Sequence, residues 1–263
     1  MIVHDFQRPL DQNIAVNTLP SKLKDDFIVE ALCQIQFNCD DLPEVIIGRA
    51  TDFWVKSGYV AERLPIADIP APIRQADPNL RFQPTIQLRE KQGPSLIRIG
   101  EQAISFHVTG EKKYPGWSEF RAKLNGVVDG IFNNMTNVAV NKIGLRYINA
   151  IVQDRHFIKD IHELQFEVSV GGKKLTGPVN LNFNGLEGTS HIVTTRLAHG
   201  SFVQGTLPDK TSAVIDVEVS TANDFLARNA SGVMSWIEAA HGFEKTALFA
   251  LIPDTVKQKL MEN

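Results

Sequence analysis

Several short segments of this chain alternate apolar and polar residues, and this two-residue period restricts its fold more than any other feature of the sequence. The period is clear over residues 29–37, where the apolar positions are Val29, Ala31, Cys33, Ile35 and Phe37. It recurs over residues 85–90, 96–100, 103–108 and 137–152. Strands with this pattern bury one face and leave the other to water, as antiparallel sheets do. The pattern therefore predicts an antiparallel sheet with one apolar and one polar face.

Three longer segments carry the 3.6-residue period of amphipathic helices instead, over residues 42–57, 115–134 and 223–240. The second of them has the most regular apolar stripe, which consists of Trp117, Phe120, Leu124, Val127, Val128 and Ile131. Strand patterns continue in the second half over residues 163–170, 179–184, 191–197 and 213–219. We therefore predict an α+β fold, with mainly antiparallel strands in one or two curved sheets and the three helices packed on the apolar faces.

The length of 263 residues suits one large domain or two fused small ones. We predict a single compact unit over residues 1–263, which would divide, if at all, into related or interlocked halves over residues 21–153 and 154–263. Residues 65–84 contain five prolines, which exclude a regular helix or a central strand there. The apolar residues of this proline-rich segment must either cover the sheet of the same molecule or dock onto a partner.

Charge and cysteine content narrow the classes of function. With 27 basic and 30 acidic residues, bulk charge does not drive binding to nucleic acid or to anionic membranes. Cys33 and Cys39 are too few for a disulfide framework or a four-sulfur zinc site. Residues 1–20, which we interpret as an arm or a short edge element, contain no apolar run of signal-peptide length, and no segment approaches a membrane span. We expect a cytoplasmic protein with reduced cysteines that does not associate with membranes.

Motifs that carry well-understood chemistry are missing from the sequence. There is no phosphate-binding loop, no Gly-x-Ser-x-Gly nucleophile turn, no His-Glu-x-x-His and no Cys-x-x-Cys. The seven histidines are scattered, and none of them form a pair four residues apart on a helix. A phosphate-loop nucleotidase, an ordinary serine hydrolase and a zinc protease are therefore excluded, and we expect no cofactor.

The first group of short strands supplies the main candidates for ligand binding. Its apolar residues alternate onto one side, which leaves Gln87, Arg89, Arg98 and His107 together on the other. This side is polar and locally basic, so it could bind an anionic ligand or a partner. Arg146, on the polar side of the strand over residues 137–152, is a further candidate. The alternative interpretation is an ordinary solvated sheet face.

Other polar residues favour structural roles. Asp216 and Glu218 lie two apart on one strand and project to the same side, which makes them a weak candidate for a divalent cation, but no third carboxylate is placed near them. Tyr147 and Asn149 lie on an apolar strand face and must hydrogen-bond if buried, which is typical of structural polar groups. His241 follows an apolar helix and precedes Gly242, so we interpret it as a helix cap.

Residues 144–149, Gly-Leu-Arg-Tyr-Ile-Asn, resemble the signature of an uncharacterised, sporadically distributed family of bacterial proteins of about this length. Similar features span most of the chain, namely Val29-Glu30-Ala31, Trp117 and Phe120 after Tyr114, Ile215-Asp216, and the helix end at Ala240-His241. The resemblance implies a shared architecture and the patchy occurrence of accessory genes. It transfers no catalytic or binding site.

These observations favour a non-enzymatic binding or scaffold protein of a bacterial accessory system, which associates with a protein partner or with itself. Two alternatives use the same polar strands. The first is an enzyme, or a binder of nucleotides or other anionic ligands, that uses Arg89, Arg98 and His107. The second is a protein associated with nucleic acid.

Overall fold

The computed structural model describes residues 23–203 and 207–261. The predicted arm over residues 1–20 lies outside the described residues. The chain forms a nine-stranded sheet in which every neighbouring pair is antiparallel, in the order β2-β3-β4-β5-β1-β6-β11-β10-β9. The predicted α+β class with a mainly antiparallel sheet is therefore confirmed.

The strands of the sheet are β1 (Ile28–Asn38), β2 (Tyr59–Arg63), β3 (Ile86–Glu90), β4 (Ser95–Ile99), β5 (Ala103–Thr109), β6 (Ala139–Val152), β9 (Asn180–Glu187), β10 (His191–His199) and β11 (Thr211–Thr221). A separate small hairpin consists of β7 (Ser169–Val170) and β8 (Lys173–Lys174). The helices are α1 (Pro43–Lys56), α2 (Ala71–Ala76), α3 (Trp117–Asn134), α4 (Gln153–His156), α5 (Ala230–Leu251) and α6 (Asp254–Met261).

The main helices α1, α3 and α5 cover the apolar face of the sheet. The stripe of α3 is buried except for Trp117, which is partly exposed. Phe120 and Leu124 lie fully inside, and the Phe120 ring is 5.2 Å from that of Phe106 on β5. The start of α3 is set by Gly116, whose φ of 94° is a backbone conformation that side chains with a Cβ disfavour. The predicted helices over residues 42–57 and 115–134 are confirmed to within two residues.

The helix predicted over residues 223–240 is displaced. In the structure α5 begins at Ala230, where the Asn229 side chain accepts a hydrogen bond from the Gly232 N–H at 2.8 Å. It then continues past Gly242 to Leu251, because Ala240 and Leu248 on either side of the glycine are both buried in the core. Tertiary packing outweighs the cost of about 1 kcal/mol for a glycine within a helix. The interpretation of His241 as a helix cap is therefore wrong.

Two other segments differ from their sequence patterns. Residues 163–170 alternate like a strand but contain the end of a 3-10 helix, an irregular stretch and the short β7. The proline-rich segment contains a 3-10 helix over Pro65–Asp68 and the short helix α2, and Pro65, Pro70 and Pro72 stand at the starts of these two helices. The prediction that the prolines exclude a regular helix there is therefore wrong. Arg74 of α2 is buried and forms an ion pair with Glu101, which ties the segment to the turn between β4 and β5.

The two halves of the chain have the same strand order. In the first half, β3, β4 and β5 form a meander whose last strand pairs with β1, and α3 follows. In the second half, β9, β10 and β11 form a meander whose last strand pairs with β6, and α5 follows. The halves join through the β1–β6 pairing into one sheet. Among the described residues, no helix combines the length and apolar character needed to cross a membrane.

Candidate functional site

The candidate ligand-binding residues from the sequence, together with Asp216 and Glu218, lie on the sheet surface opposite the helices, which we call the polar face. Residues directly opposite each other in antiparallel strands project to the same side, so the register sorts them into rows. One row crosses all nine strands and consists of Val60, Arg89, Leu96, His107, Leu32, Arg146, Glu218, Thr194 and Asn184. The adjacent row on one side holds Gln87 and Arg98, and the adjacent row on the other side holds Asp216.

Ion pairs occupy one end of the polar face. Arg146 donates two hydrogen bonds to Asp216, from Nε to Oδ1 and from Nη2 to Oδ2, both at 2.7 Å. Arg196 on β10 donates to the same Asp216 at 3.1 Å and to Glu218 at 3.3 Å. The hydrogen bonds with Asp216 raise the pKa of Arg146. Arg146 is therefore bound to a carboxylate within its own sheet.

The same contacts bear on the weak metal candidate. Asp216 and Glu218 do share one side of β11, as their spacing predicts. Their carboxylates, however, bind the guanidinium groups of Arg146 and Arg196. Among residues 23–203 and 207–261, no group of three or more His, Cys, Asp or Glu side chains is arranged to hold a metal ion. The structure therefore gives no support to a cation site at Asp216 and Glu218.

A chain of three polar side chains lies in the middle of the polar face. Ser105 Oγ is 2.8 Å from His107 Nε2, and His107 Nδ1 is 3.1 Å from Glu30 Oε1. With the imidazole proton on Nδ1, His107 donates to Glu30 and accepts from the Ser105 hydroxyl. The hydrogen bond with His107 lowers the pKa of Glu30. Ser105 and His107 are both buried, while Glu30 is partly exposed.

The other end of the polar face carries the remaining candidates. Arg98 donates from Nε to the Gln87 side chain at 3.1 Å, and Gln87 donates to Glu62 at 3.4 Å. Arg89 is exposed. Because neighbouring strands lie about 4.8 Å apart, four strand spacings place the backbone of Arg89 on β3 about 19 Å from that of Arg146 on β6. The candidates share one surface but do not converge on one pocket.

The sequence predicts a locally basic face, and the tertiary structure changes that charge balance. Strand β1 places Glu30 between two groups of arginines, Arg89 with Arg98 and Arg146 with Arg196. Strand β11 places Asp216 and Glu218 next to Arg146. Positive and negative side chains therefore alternate across the surface.

A cavity of about 100 Å³ lies on the helix side of the sheet, and the sequence did not predict it. It is enclosed by the start of α3, the middle of α5, strand β6 and the residues before β1. Its walls are largely aromatic and apolar and include Phe27, Tyr114, Trp117, Tyr147, Leu248 and Phe249. A cavity of this size is large enough for a few waters or a small organic molecule.

Several polar groups are buried at this cavity. The hydroxyl groups of Tyr114 and Tyr147 are 3.2 Å apart. The Asn149 Nδ2 donates to the carbonyl oxygen of Ile215 on β11 at 3.1 Å, which leaves its Oδ1 buried without a hydrogen-bond partner. His241 stacks on Trp117, with ring centroids 3.9 Å apart, and its Nδ1 is likewise buried without a partner.

Glu244 is the least expected residue in the cavity wall because it is only 4% exposed. Burial raises the pKa of its carboxyl to about 8, against the opposing effect of the neighbouring Lys245. Burial also lowers the pKa of His241 to about 4. Its Nδ1 lies 3.9 Å from Glu244 Oε2, which is too long for a hydrogen bond.

The sequence contained one signal for this cavity, namely Tyr147 and Asn149 on an otherwise apolar strand face. Tyr114, Trp117, His241 and Glu244 were not identified as site residues. Their assembly depends on the seating of α5 against β6 and α3, which the sequence pattern does not specify. Comparison of the chain with protein-family models, with curated proteins and with solved structures found no match in any of the three.

Proposed function

We propose that this chain is a non-enzymatic binding protein that associates with another protein through its polar face. The observation that carries the proposal is the spread of polar groups over about 19 Å of sheet between Arg89 and Arg146. Groups that hold one small ligand converge on a pocket. Groups laid out in rows across strands instead match the extended surface of a macromolecule.

The mixture of charges on the polar face favours a protein over a nucleic acid. A nucleic-acid site neutralises successive phosphates and needs an excess of basic side chains. Here Arg146 and Arg196 bind Asp216 and Glu218, and Glu30 lies between the two groups of arginines. Protein interfaces use complementary charges of both signs to select partners and orientation. A role in a bacterial accessory system rests on the resemblance at residues 144–149 alone and stays a prediction.

Site-specific photo-cross-linking in cells that express the chain naturally tests this proposal. The photoreactive residue p-benzoylphenylalanine replaces Arg89 in one variant and Asn184 in another, because both positions are exposed and lie near opposite ends of one row. A third variant carries it at Val55, which is 44% exposed on the outer helix layer, as the matched control. We expect protease-sensitive adducts of the same mass from Arg89 and Asn184 and none of that mass from Val55.

Each other outcome of the cross-linking has a definite meaning. An adduct of twice the mass of the chain identifies the partner as a second copy of it. A nuclease-sensitive adduct replaces the proposal with the nucleic-acid alternative. Identical adduct patterns from all three positions, or no adduct from the two positions on the polar face, contradict association through this face.

One observation favours a second candidate, an enzyme that performs acyl transfer at the polar face. Ser105, His107 and Glu30 have the contacts of a nucleophile, a general base and the group that orients the base. In that reaction Ser105 Oγ would attack an acyl carbonyl carbon while its proton passes to His107 Nε2. The leaving group would then depart with that proton, and water would hydrolyse the acyl-serine. Arg98 lies directly opposite Ser105 on the next strand, where it could stabilise the developing oxyanion.

A fluorophosphonate probe, which labels activated serines covalently, tests the second candidate. Because Ser105 is 93% buried, we expect the chain to remain unlabelled, in line with the binding function. Labelling that is lost in Ser105→Ala and reduced in His107→Gln, with Ser220→Ala as the control on the same face, would establish the enzyme instead.

A further inference from the structure

The cavity between α3, α5 and β6 is separate from the polar face, since it lies on the opposite side of the sheet. Strand β6 contributes to both, because alternate residues of a strand project to opposite sides. Arg146 faces the polar surface, whereas Tyr147 and Asn149 line the cavity. What the cavity could bind is therefore a question apart from the proposed association with a protein.

Two buried side-chain atoms of the cavity wall have no hydrogen-bond partner, Asn149 Oδ1 and His241 Nδ1, and the first of them can only accept. Asn149 is fully buried, its amide nitrogen is used by backbone oxygens, and its Oδ1 has no partner. Glu244 adds a carboxyl group whose two oxygens are almost completely removed from water. A buried acceptor without a hydrogen-bond donor destabilises the folded chain, and native structures contain few such groups. A ligand that satisfies this acceptor must carry a hydrogen-bond donor.

The walls favour a donor that also carries a positive charge. A cation is attracted to the faces of tryptophan and tyrosine rings, and Tyr114, Trp117 and Tyr147 all line the cavity. A buried carboxylate is stabilised most by an opposite charge that hydrogen-bonds to it directly. Aromatic walls, a buried carboxyl group and a free amide oxygen together match an ammonium group.

We propose that this cavity binds a small organic amine in its ammonium form, which donates to Glu244 and to Asn149 Oδ1 against the rings of Tyr114, Trp117 and Tyr147. The volume of about 100 Å³ suits a group of about five heavy atoms, since a dry cavity of about 150 Å³ is known to hold benzene. The ligand is either a free amine of this size or the amine end of a larger molecule.

Binding of such a ligand is coupled to the release of a proton. Glu244 is mostly protonated at pH 7, because burial raises its pKa to about 8, and an ammonium ion favours the ionised carboxylate. The charged and titratable groups around Glu244 are Lys245 and His241 on the same helix, Asp26 before β1, Tyr114 before α3 and Tyr147 on β6. Burial holds the pKa of His241 near 4 and raises those of Tyr114 and Tyr147 above their usual values, so these three do not titrate between pH 6 and 9. Asp26 and Lys245 each have interactions of their own.

Calorimetric titration of the full chain with n-butylammonium chloride tests the proposal, with n-butanol as the uncharged probe of the same size. We expect the association constant for n-butylammonium to rise about tenfold per pH unit from pH 6 to about 8 and then to level off. Titrations at pH 7 in buffers of different ionisation enthalpy should report the release of about one proton. Binding of n-butanol should be weaker and independent of pH.

Variants at position 244 distinguish the effect of the carboxylate charge on binding from the effect of side-chain shape. Glu244→Gln should lose the pH dependence and weaken binding of n-butylammonium at pH 8 at least tenfold, whereas Glu244→Asp should keep the pH dependence. Glu119→Gln, on the exposed side of α3, is the control and should bind like the original chain. The proposal is overturned if n-butylammonium does not bind at 100 mM, or if n-butanol binds as tightly at every pH. Proton release near zero at pH 7 overturns it without any variant, and so does unchanged binding by Glu244→Gln.

Discussion

The residues of greatest interest in this protein are those whose burial conflicts with their chemistry. Glu244 and His241 lie one helical turn apart on α5. Burial raises the pKa of Glu244 and lowers that of His241, and both shifts favour the neutral form of the side chain. Asn149 uses its amide nitrogen to bridge β6 and β11 and leaves its oxygen to the cavity. By contrast, Asp216 on the polar face forms ion pairs with two arginines, Arg146 and Arg196. Buried polar groups without such partners are the ones that point to a ligand.

The raised pKa of Glu244 predicts a stability effect that depends on pH. The carboxyl is protonated in the folded chain up to about pH 8 but ionises near 4.5 when unfolded. The resulting stabilisation is therefore complete below pH 4.5 and is lost as the pH rises through 8. Relative to Glu244→Gln, the original chain should lose roughly 1.4 kcal/mol of unfolding free energy per pH unit across this window.

Urea denaturation of both chains at pH 5, 6, 7 and 8 measures this effect. The control is Glu119→Gln, because the Glu119 side chain is 59% exposed. Its difference from the original chain should stay constant over the same pH range. A constant difference for Glu244→Gln as well would show that Glu244 is ionised in the folded protein.

At the scale of elements, the packing of α3 on the sheet is the feature that the local sequence pattern predicts most completely. Phe120 packs against Phe106 of β5, Leu124 lies in the same core, and α3 also contacts α1 and α5. Helix α5 is specified less locally, since it passes through Gly242 and is held by contacts with β6, β10 and β11. Both helices form walls of the cavity, so displacement of either one should alter it.

Truncation of Leu124 tests the role of α3 in the core. Leu124 is fully buried, so Leu124→Ala removes apolar contacts and leaves a cavity, which should cost roughly 2 to 5 kcal/mol of unfolding free energy. Leu226→Ala makes the same chemical change at a position that is 56% exposed and should cost less than about 0.5 kcal/mol. Equal losses for the two variants in urea denaturation would mean that α3 is not seated as described.

At the scale of the whole molecule, one sheet separates two surfaces with different chemistry. The shared strand order of the halves places β1 and β6 at the centre, with a meander on either side. The charged rows cross this central pair on the polar face, and the cavity lies behind β6 on the helix side. Because β6 contributes Arg146 to one surface and Tyr147 and Asn149 to the other, a ligand in the cavity contacts a strand that also forms part of the proposed interface.

The sequence pattern was enough to locate eight of the nine strands of the main sheet and two of the three main helices, and it missed β2. Alternation over residues 29–37 and the stripe from Trp117 to Ile131 are local patterns, and burial of one face follows directly from them. The sequence also placed Gln87, Arg89, Arg98 and His107 on one side of the sheet, since each alternates with apolar residues that face the core on the other side. The resemblance at residues 144–149 stays a prediction. Local alternation failed over residues 163–170, where an extended pattern has no neighbouring strand of the main sheet to pair with.

Contacts between these residues depend on the tertiary structure. Glu30 contacts His107 across 77 residues of chain, and Arg146 contacts Asp216 across 70, because the strand order inserts β1 beside β5 and β11 beside β6. The cavity brings together residues that are even further apart in the sequence, since Asn149 and Glu244 line the same cavity only when α5 packs across β6. Period and spacing assign a side chain to a face but do not choose the neighbouring strand. That choice is made by the packing of the whole core, and it determined both the neutralised charges of the polar face and the buried carboxyl group of the cavity.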